Sequence, residues 1–436
     1  MNSGLSIAEL VHSARQLAAH GKVAEAEVLC LRALAAEPSN AFVLAALGQM
    51  ALDRGAPTEA VHHFLAARLA EPTNPQHGLD GAFALLAGEK FTDARELLAD
   101  TVAQLPHCFN AWLMLGQVFE VLDDLPNALR SFNQAVLQAQ RQGHWLDKAT
   151  TPPEMLDIVT HAIAQVRVGR RALYFSSYDS VRELHGSAAL KRVDHALSVY
   201  LKEVAAAPTS PHQRARFFHF PGLPVGPYHD PFLQPWAGAL RDAFSTIRTE
   251  AIKTLAEDTH FEDFIAARNE TPVRDHLRGN GRDPAWEAFF FYRRGVRYDA
   301  HHQRCPNTSA ALESLDLCRI ESEAPEICFS VLTPGSEILP HHGVSNVRLV
   351  MHLPLSVPAK CALNVFGGGE HHWREGQLVM FDDTYRHEAW NRSDSNRVVL
   401  LMDCWNPYLD MPEREAMRQL IETIGSFSRS DAPRLA

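Results

Sequence analysis

Three residues in the last third of the chain have types and spacing that chemistry could use. His341 lies in Leu339-Pro340-His341-His342-Gly343, just ahead of an apolar run that reads as a strand. His387 lies in Phe381-Asp382-Asp383-Thr384-Tyr385-Arg386-His387, on a later strand. Arg397 follows it by 397 − 387 = 10 residues and opens another strand. Neutral imidazoles suit Fe(II), and a site with few protein ligands leaves coordination positions open for small reactants. An arginine offers a planar fork for a carboxylate. Arg348, Val350 and His352 alternate along one strand and so share a face, where inward polar groups need a reason. Each residue also has a plain structural reading. A lone histidine is a hydrogen-bonded core residue, and a lone arginine an internal ion pair. The three together favour a site.

A facial triad also needs a carboxylate; in the jelly-roll oxygenases that this spacing resembles, it sits two residues after the first histidine. That position is Gly343. Three readings stay open: the site is non-metallic, glycine leaves room for water or a halide, or the site has decayed. His342 reads as a surface residue or a neighbour that supports the site, Asp382 and Asp383 as turn or supporting groups and not ligands, and Asp403 and Trp405 as packing or orienting residues. His301-His302 and His371-His372 read as exposed loop residues. His387-Glu388-Ala389-Trp390-Asn391 is not a zinc-protease motif, because Asn391 takes the place of its second histidine. Gly367-Gly368-Gly369 has no Lys-Ser/Thr helix after it and reads as a hairpin loop.

The elements that must position these residues change character along the chain. Pro38, Pro72 and Pro106 are 34 residues apart, as are Ala26, Ala60, Ala94 and Ala128. Cys30, Phe64, Leu98 and Phe132 fill a large apolar slot at the same period, and Gly48 recurs two periods on as Gly116. This is the tetratricopeptide period of paired helices. It predicts four repeats over 7–142, the third weakened by Gly78 and Gly81. Residues 143–215 read as a helical extension and linker. Pro208 to Pro235 is rich in Pro and Gly, and one helix follows over about 236–256. Short β-rich runs then appear at 286–293, 327–332, 347–355, 362–366, 377–381, 387–391 and 397–405, with turn signals between them. They predict a sandwich or jelly roll over 216–410. A helix and tail complete 411–436. The expected fold class is multidomain α + β: a helical tetratricopeptide solenoid, then a double-stranded β-helix of jelly-roll, cupin-like form.

Composition narrows the function. The 436 residues carry a formal charge of −11, which argues against a general nucleic-acid binder. Seven scattered cysteines form no CxxC pair and imply no disulfide framework. No run of ~18 apolar residues predicts a membrane span. The opening residues lack a signal-peptide pattern, so the expected location is the cytoplasm.

The His…His…Arg spacing resembles that of jelly-roll oxygenases that use Fe(II) and 2-oxoglutarate. More specifically, the chain resembles the aspartyl/asparaginyl β-hydroxylases, which join tetratricopeptide repeats to such a domain and have glycine in place of the iron carboxylate. Pro221-Gly222-Leu223-Pro224, Ser330 to Gly335, His341 to Leu355, Phe381 to Trp390 and Arg397 to Pro407 carry the resemblance. It implies His341 and His387 as iron ligands and Gly343 as the carboxylate-free position. It assigns Ser330 and Arg397 to the distal carboxylate of 2-oxoglutarate, His352 to its C1 carboxylate, and Arg348 to the carboxyl or amide end of the substrate residue. The implied cofactors are Fe(II), 2-oxoglutarate and O₂. The implied substrate is an Asp or Asn β-carbon in a peptide or protein, which the repeats would recruit. Val350 departs from the pattern, because the animal enzymes have a second arginine there. The alternatives are hydroxylation of a free or carrier-bound small molecule, halogenation, and a non-catalytic adaptor with a relic oxygenase domain.

Overall fold

A computed structural model describes residues 6–206, 210–257, 261–264, 276–279 and 285–429. The first five residues, Pro208 and the tail beyond Arg429 lie outside the described residues. The chain divides into two compact units, with boundaries between Ala172 and Leu173 and between Ser426 and Phe427.

The first unit is built from antiparallel helix pairs: Ile7–Ala19 with Val23–Ala36, Ala41–Asp53 with Pro57–Ala70, Pro75–Ala87 with Phe91–Gln104, and Phe109–Val121 with Leu125–Arg141. The periodic residues set the pairing. A Cβ on Gly48 would sit 2.8 Å from the Phe64 ring, and one on Gly116 would strike Phe132. Each glycine thus lets its partner helix approach over a phenylalanine. Asn40 and Asn74 cap the next repeats, accepting from the amides of Val43 (3.0 Å) and Gln76 (3.1 Å). The third repeat is as regular as the others, because its glycines compensate for larger neighbours. Gly78 makes room for Thr101 and Gly81 for Leu97. After the last pair, Val159, Ala162 and Val166 bury against the core that holds Trp112, Phe119 and Phe132.

In the second unit eight strands divide equally between two sheets. They are β1 (Ile327–Leu332), β2 (Ser336–His341), β3 (Arg348–Ser356), β4 (Cys361–Val365), β5 (Gly369–His371), β6 (Val379–Phe381), β7 (His387–Asn391) and β8 (Arg397–Trp405). One sheet has the order β6-β3-β8-β1, extended past β1 by the strand Trp286–Arg293. The other has the order β5-β4-β7-β2, extended past β2 by Leu277–Gly279. The ladders are antiparallel, and the winding is that of a jelly roll. Alternation divides β3 between two cores. Leu349, Met351 and Leu353 pack outward with Leu240, Ile247 and Ala251 of the covering helices. Val350 packs inward with Ile338, Leu363 and Leu401.

Four details differ from the sequence reading; the first is His371, which is not an exposed loop residue but lies on β5, partly buried. β2 is not among the expected strands, and His341 closes it instead of preceding a strand; the ladder to Leu277–Gly279 stops at Ile338, before Pro340. The helix expected over 236–256 is two helices, Ala237–Asp242 and Phe244–Glu257. His301 and His302 are not loop residues. They lie on the helix Asp299–Arg304, and His302 is buried, bonded to the Ser309 hydroxyl (2.7 Å) and the Phe291 carbonyl (3.2 Å). Among the described residues no helix is long and apolar enough to cross a membrane.

Candidate active site

β2 and β7 run side by side with His341 opposite His387. The ring centroids are 4.1 Å apart and the planes cross at 53°. Each Nδ1 faces the carbonyl two residues back: Leu339 for His341 (2.8 Å) and Tyr385 for His387 (2.9 Å). A carbonyl only accepts, so Nδ1 carries the proton and Nε2 keeps a free lone pair. Burial keeps both rings neutral, holding His341 down to about 3 and His387 down to about 4. Two adjacent neutral imidazoles with free Nε2 atoms form a donor pair suited to a divalent metal.

No third ligand joins them. Among the described residues no group of three or more His, Cys, Asp or Glu converges. The local packing supplies the reason. A Cβ on Gly343 would overlap the carboxylate of Asp383, and the Gly343 amide donates to the Asp383 carbonyl at 2.6 Å. Space, not backbone freedom, requires the glycine. His342 holds the same turn through Nδ1 to the Thr384 carbonyl (2.9 Å).

The histidines line a cavity of ≈ 250 Å³ between the sheets. Arg397 lines one end of it and is 2 % exposed. No carboxylate among the described residues pairs with it, and burial pulls its pKa down to about 10. Its guanidinium lies 5.0 Å over the Trp373 ring. Nη1 reaches the Ser330 hydroxyl at 3.4 Å, and Nε has no partner. Ser330 also accepts from Trp286 Nε1 (2.9 Å), so its own proton is free to donate. His352 projects from β3 into the same cavity with both ring nitrogens unpartnered, as is Trp373 Nε1. Burial, then Arg397, holds His352 well below its usual value. This end therefore offers surplus donors and one uncompensated positive charge. An unpaired buried guanidinium is strongly unfavourable until an anion arrives.

The other end has the opposite polarity. Arg348 Nη1 pairs with Asp403 Oδ1 (2.6 Å) and lies 3.3 Å from Asp383 Oδ2. The structure thus places Arg348 in the cavity wall, but already engaged by two internal carboxylates. Glu326 lines the same wall beside Val350. Burial and Asp403 push its carboxyl up to about 7. The sequence reading brought together His341, His387, Ser330, His352, Arg348 and Arg397, and all six line one cavity. It missed Glu326, Trp286 and Trp373. Glu326 stands four residues before Ser330, at the mouth of β1, and only that spacing could have pointed to it.

Two parts of the chain match known families. Residues 241–407 match the aspartyl/asparaginyl β-hydroxylase family. Residues 79–144 match the tetratricopeptide repeat. Aspartate β-hydroxylase domain-containing protein 2 of Homo sapiens is 31 % identical over 210 residues, covering 47 % of this chain and 54 % of that protein. Ornithine lipid ester-linked acyl 2-hydroxylase of Rhizobium tropici is 32 % identical over 191 residues, covering 43 % of this chain and 63 % of that protein. Human aspartyl/asparaginyl β-hydroxylase is 30 % identical over 194 residues, covering 42 % and 24 %. The chain thus spans less than two thirds of the curated relatives it matches. Among solved structures, MamA is similar to part of the chain, with a TM-score of 0.27, 15 % identity, and coverage of 35 % of this chain and 90 % of MamA. The family match covers the strands of the second unit that carry the candidate site, and the repeat match covers helices of the first.

Proposed function

We propose that the protein is an Fe(II)- and 2-oxoglutarate-dependent hydroxylase. The observation that carries this reading is Arg397, a buried guanidinium that no carboxylate among the described residues pairs with, in a cavity whose wall also holds two neutral histidines. His341 and His387 would hold the metal through Nε2. Bound Fe(II), with O₂ and 2-oxoglutarate, would convert a substrate C–H bond to an alcohol while 2-oxoglutarate becomes succinate and CO₂.

The chain's own groups do the positioning. Arg397 and the free Ser330 proton would take the distal carboxylate, a charge-assisted pairing strengthened by burial. His352, neutral and unpartnered, would donate to the C1 carboxylate. Phe264, Trp286, Leu363, Phe381 and Leu401 wall the cavity with apolar surface and limit water. The family match favours the β-carbon of an Asp or Asn residue in a peptide or protein, recruited by the repeats. A second reading, a small-molecule or acyl substrate, is favoured by the Rhizobium relative's name and by Val350 in the wall.

Anaerobic titration of the apoprotein with Fe(II) and 2-oxoglutarate tests the proposal. The expected result is a visible metal-to-ligand charge-transfer band, lost in His341→Ala and weakened in Arg397→Ala. A folded protein that gives no band would favour a non-catalytic adaptor.

A further inference from the structure

The proposed function explains the donor-rich end of the cavity and leaves the other end unused. There Arg348 shares the wall with three carboxyl groups, Asp383, Asp403 and Glu326, while Arg293 and Arg294 also act on Glu326 electrostatically. Asp403, 2 % exposed, spends Oδ1 on Arg348 (2.6 Å) and Oδ2 on the Glu326 amide (2.8 Å). Asp383, 7 % exposed, spends Oδ2 on Arg348 (3.3 Å). Two acceptors are left over. Asp383 Oδ1 and Glu326 Oε2 are both shut off from solvent with no hydrogen-bond partner. A buried acceptor without a donor is unfavourable, so the wall is incomplete until a ligand supplies one.

Glu326 and Arg348 also line a second cavity of ≈ 500 Å³, bordered by Phe217, Arg294 and Val344. The two side chains therefore form the partition between the reaction cavity and a larger space that can hold the rest of a substrate. Val350, on the reaction side, brings no charge to offset the three carboxyls.

We propose that this partition selects a substrate residue presenting a nitrogen donor, a primary amide or an ammonium group, over one presenting a carboxylate, and that Glu326 sets the preference. The inference rests on the hydroxylase reading for the identity of the reacting residue. An amide would aim its NH₂ at the unpartnered Glu326 Oε2 while its carbonyl faces Arg348. A carboxylate of the same shape meets three carboxyls and a guanidinium that two of them already share. Asn and Asp have nearly equal volume, so the discrimination is one of charge and donor count.

The test measures retention without turnover, by affinity selection and mass spectrometry on the full chain, with and without Zn(II), at pH 8. The probes are capped heptapeptide pools with randomised flanks and a fixed centre of Asn, Asp or 2,4-diaminobutyrate. The wild type should retain the Asn and diaminobutyrate pools about tenfold better than the Asp pool. Glu326→Gln should bring Asn and Asp within about twofold, chiefly by improving Asp. Its charge-transfer band with Fe(II) and 2-oxoglutarate should be unchanged. Equal or better retention of Asp by the wild type, or no pool retained, overturns the proposal even if the variant cannot be made. An unchanged ratio in a folded Glu326→Gln overturns it too. Loss of the band in the wild type overturns the hydroxylase reading alone, since retention needs no turnover.

Discussion

The carboxylate of Asp383 occupies the space where a side chain on residue 343 would begin. The two residues are also tied through the backbone, Gly343 donating to the Asp383 carbonyl at 2.6 Å. The glycine is therefore not an empty position beside His341; another carboxylate fills its volume. Gly343→Ala should destabilise the domain by about 1–3 kcal/mol, the range for overpacking a filled site. Gly343→Ala with Asp383→Gly should recover much of that loss, although Asp383→Gly alone also removes a partner of Arg348. Urea denaturation of the two singles and the double variant gives the coupling. Additive effects would mean that the two sites do not compete for space.

Arg397 makes the unliganded site unfavourable, so its anion should act as a stabiliser. With Zn(II) present, N-oxalylglycine at about 100 times its Kd should add ~2.7 kcal/mol of stability. Arg397→Met removes a buried, unpaired charge and should leave the apo domain as stable or more so. It should also abolish the N-oxalylglycine effect. Thermal unfolding of both proteins, with and without ligand, checks the pair of outcomes. A variant that still gains the full stabilisation would place the anion elsewhere.

Glu326 gives a pH dependence with a definite sign. Burial and Asp403 raise its carboxyl from 4.5 to about 7, against the opposing pull of Arg348, Arg293 and Arg294. The folded state therefore holds the proton more tightly than the unfolded chain. The stability it contributes is full below pH 4.5 and is lost as pH rises through 7. The wild type should lose roughly 1–3 kcal/mol relative to Glu326→Gln between about pH 4 and pH 8. The preference for amide over carboxylate substrates should grow over the upper part of that range, as the carboxyl ionises. Denaturation curves at several pH values measure the first effect and peptide retention the second. A flat stability difference would return Glu326 to an ordinary carboxyl.

The sequence discloses the parts of this site that depend on local pattern. The 34-residue period predicts the helix pairs because each repeat solves the same packing problem, with Gly48 under Phe64 and Gly116 under Phe132. His341, His387 and Arg397 stand out because spacing along strands fixes which face they share. Relations that depend on long-range pairing stay hidden. Nothing near Gly343 announces that Asp383, forty residues on, will fill its volume. Nor does the text around Glu326 show that its carboxyl will be left without a donor. Arg348 illustrates the limit: its place in the wall follows from alternation on β3, but its partners Asp383 and Asp403 arrive from other parts of the fold.

Ser330 separates binding from chemistry. Its oxygen already accepts from Trp286 Nε1 at 2.9 Å and is approached by Arg397 Nη1 at 3.4 Å. Both neighbours are donors, so the hydroxyl proton has only a ligand acceptor to meet. Ser330→Ala removes that donor and leaves two buried N–H groups without their acceptor. The co-substrate carboxylate can still accept from Arg397, so the site should weaken rather than disappear. The expected result is a KM for 2-oxoglutarate raised about tenfold with kcat little changed, as one charge-assisted hydrogen bond would give. Trp286→Phe keeps the serine proton and removes one donor to its oxygen, so its effect on KM should be several-fold smaller. Steady-state kinetics on the two variants decides the matter. If Trp286→Phe proved the more damaging, Ser330 would serve to anchor the tryptophan instead of the ligand.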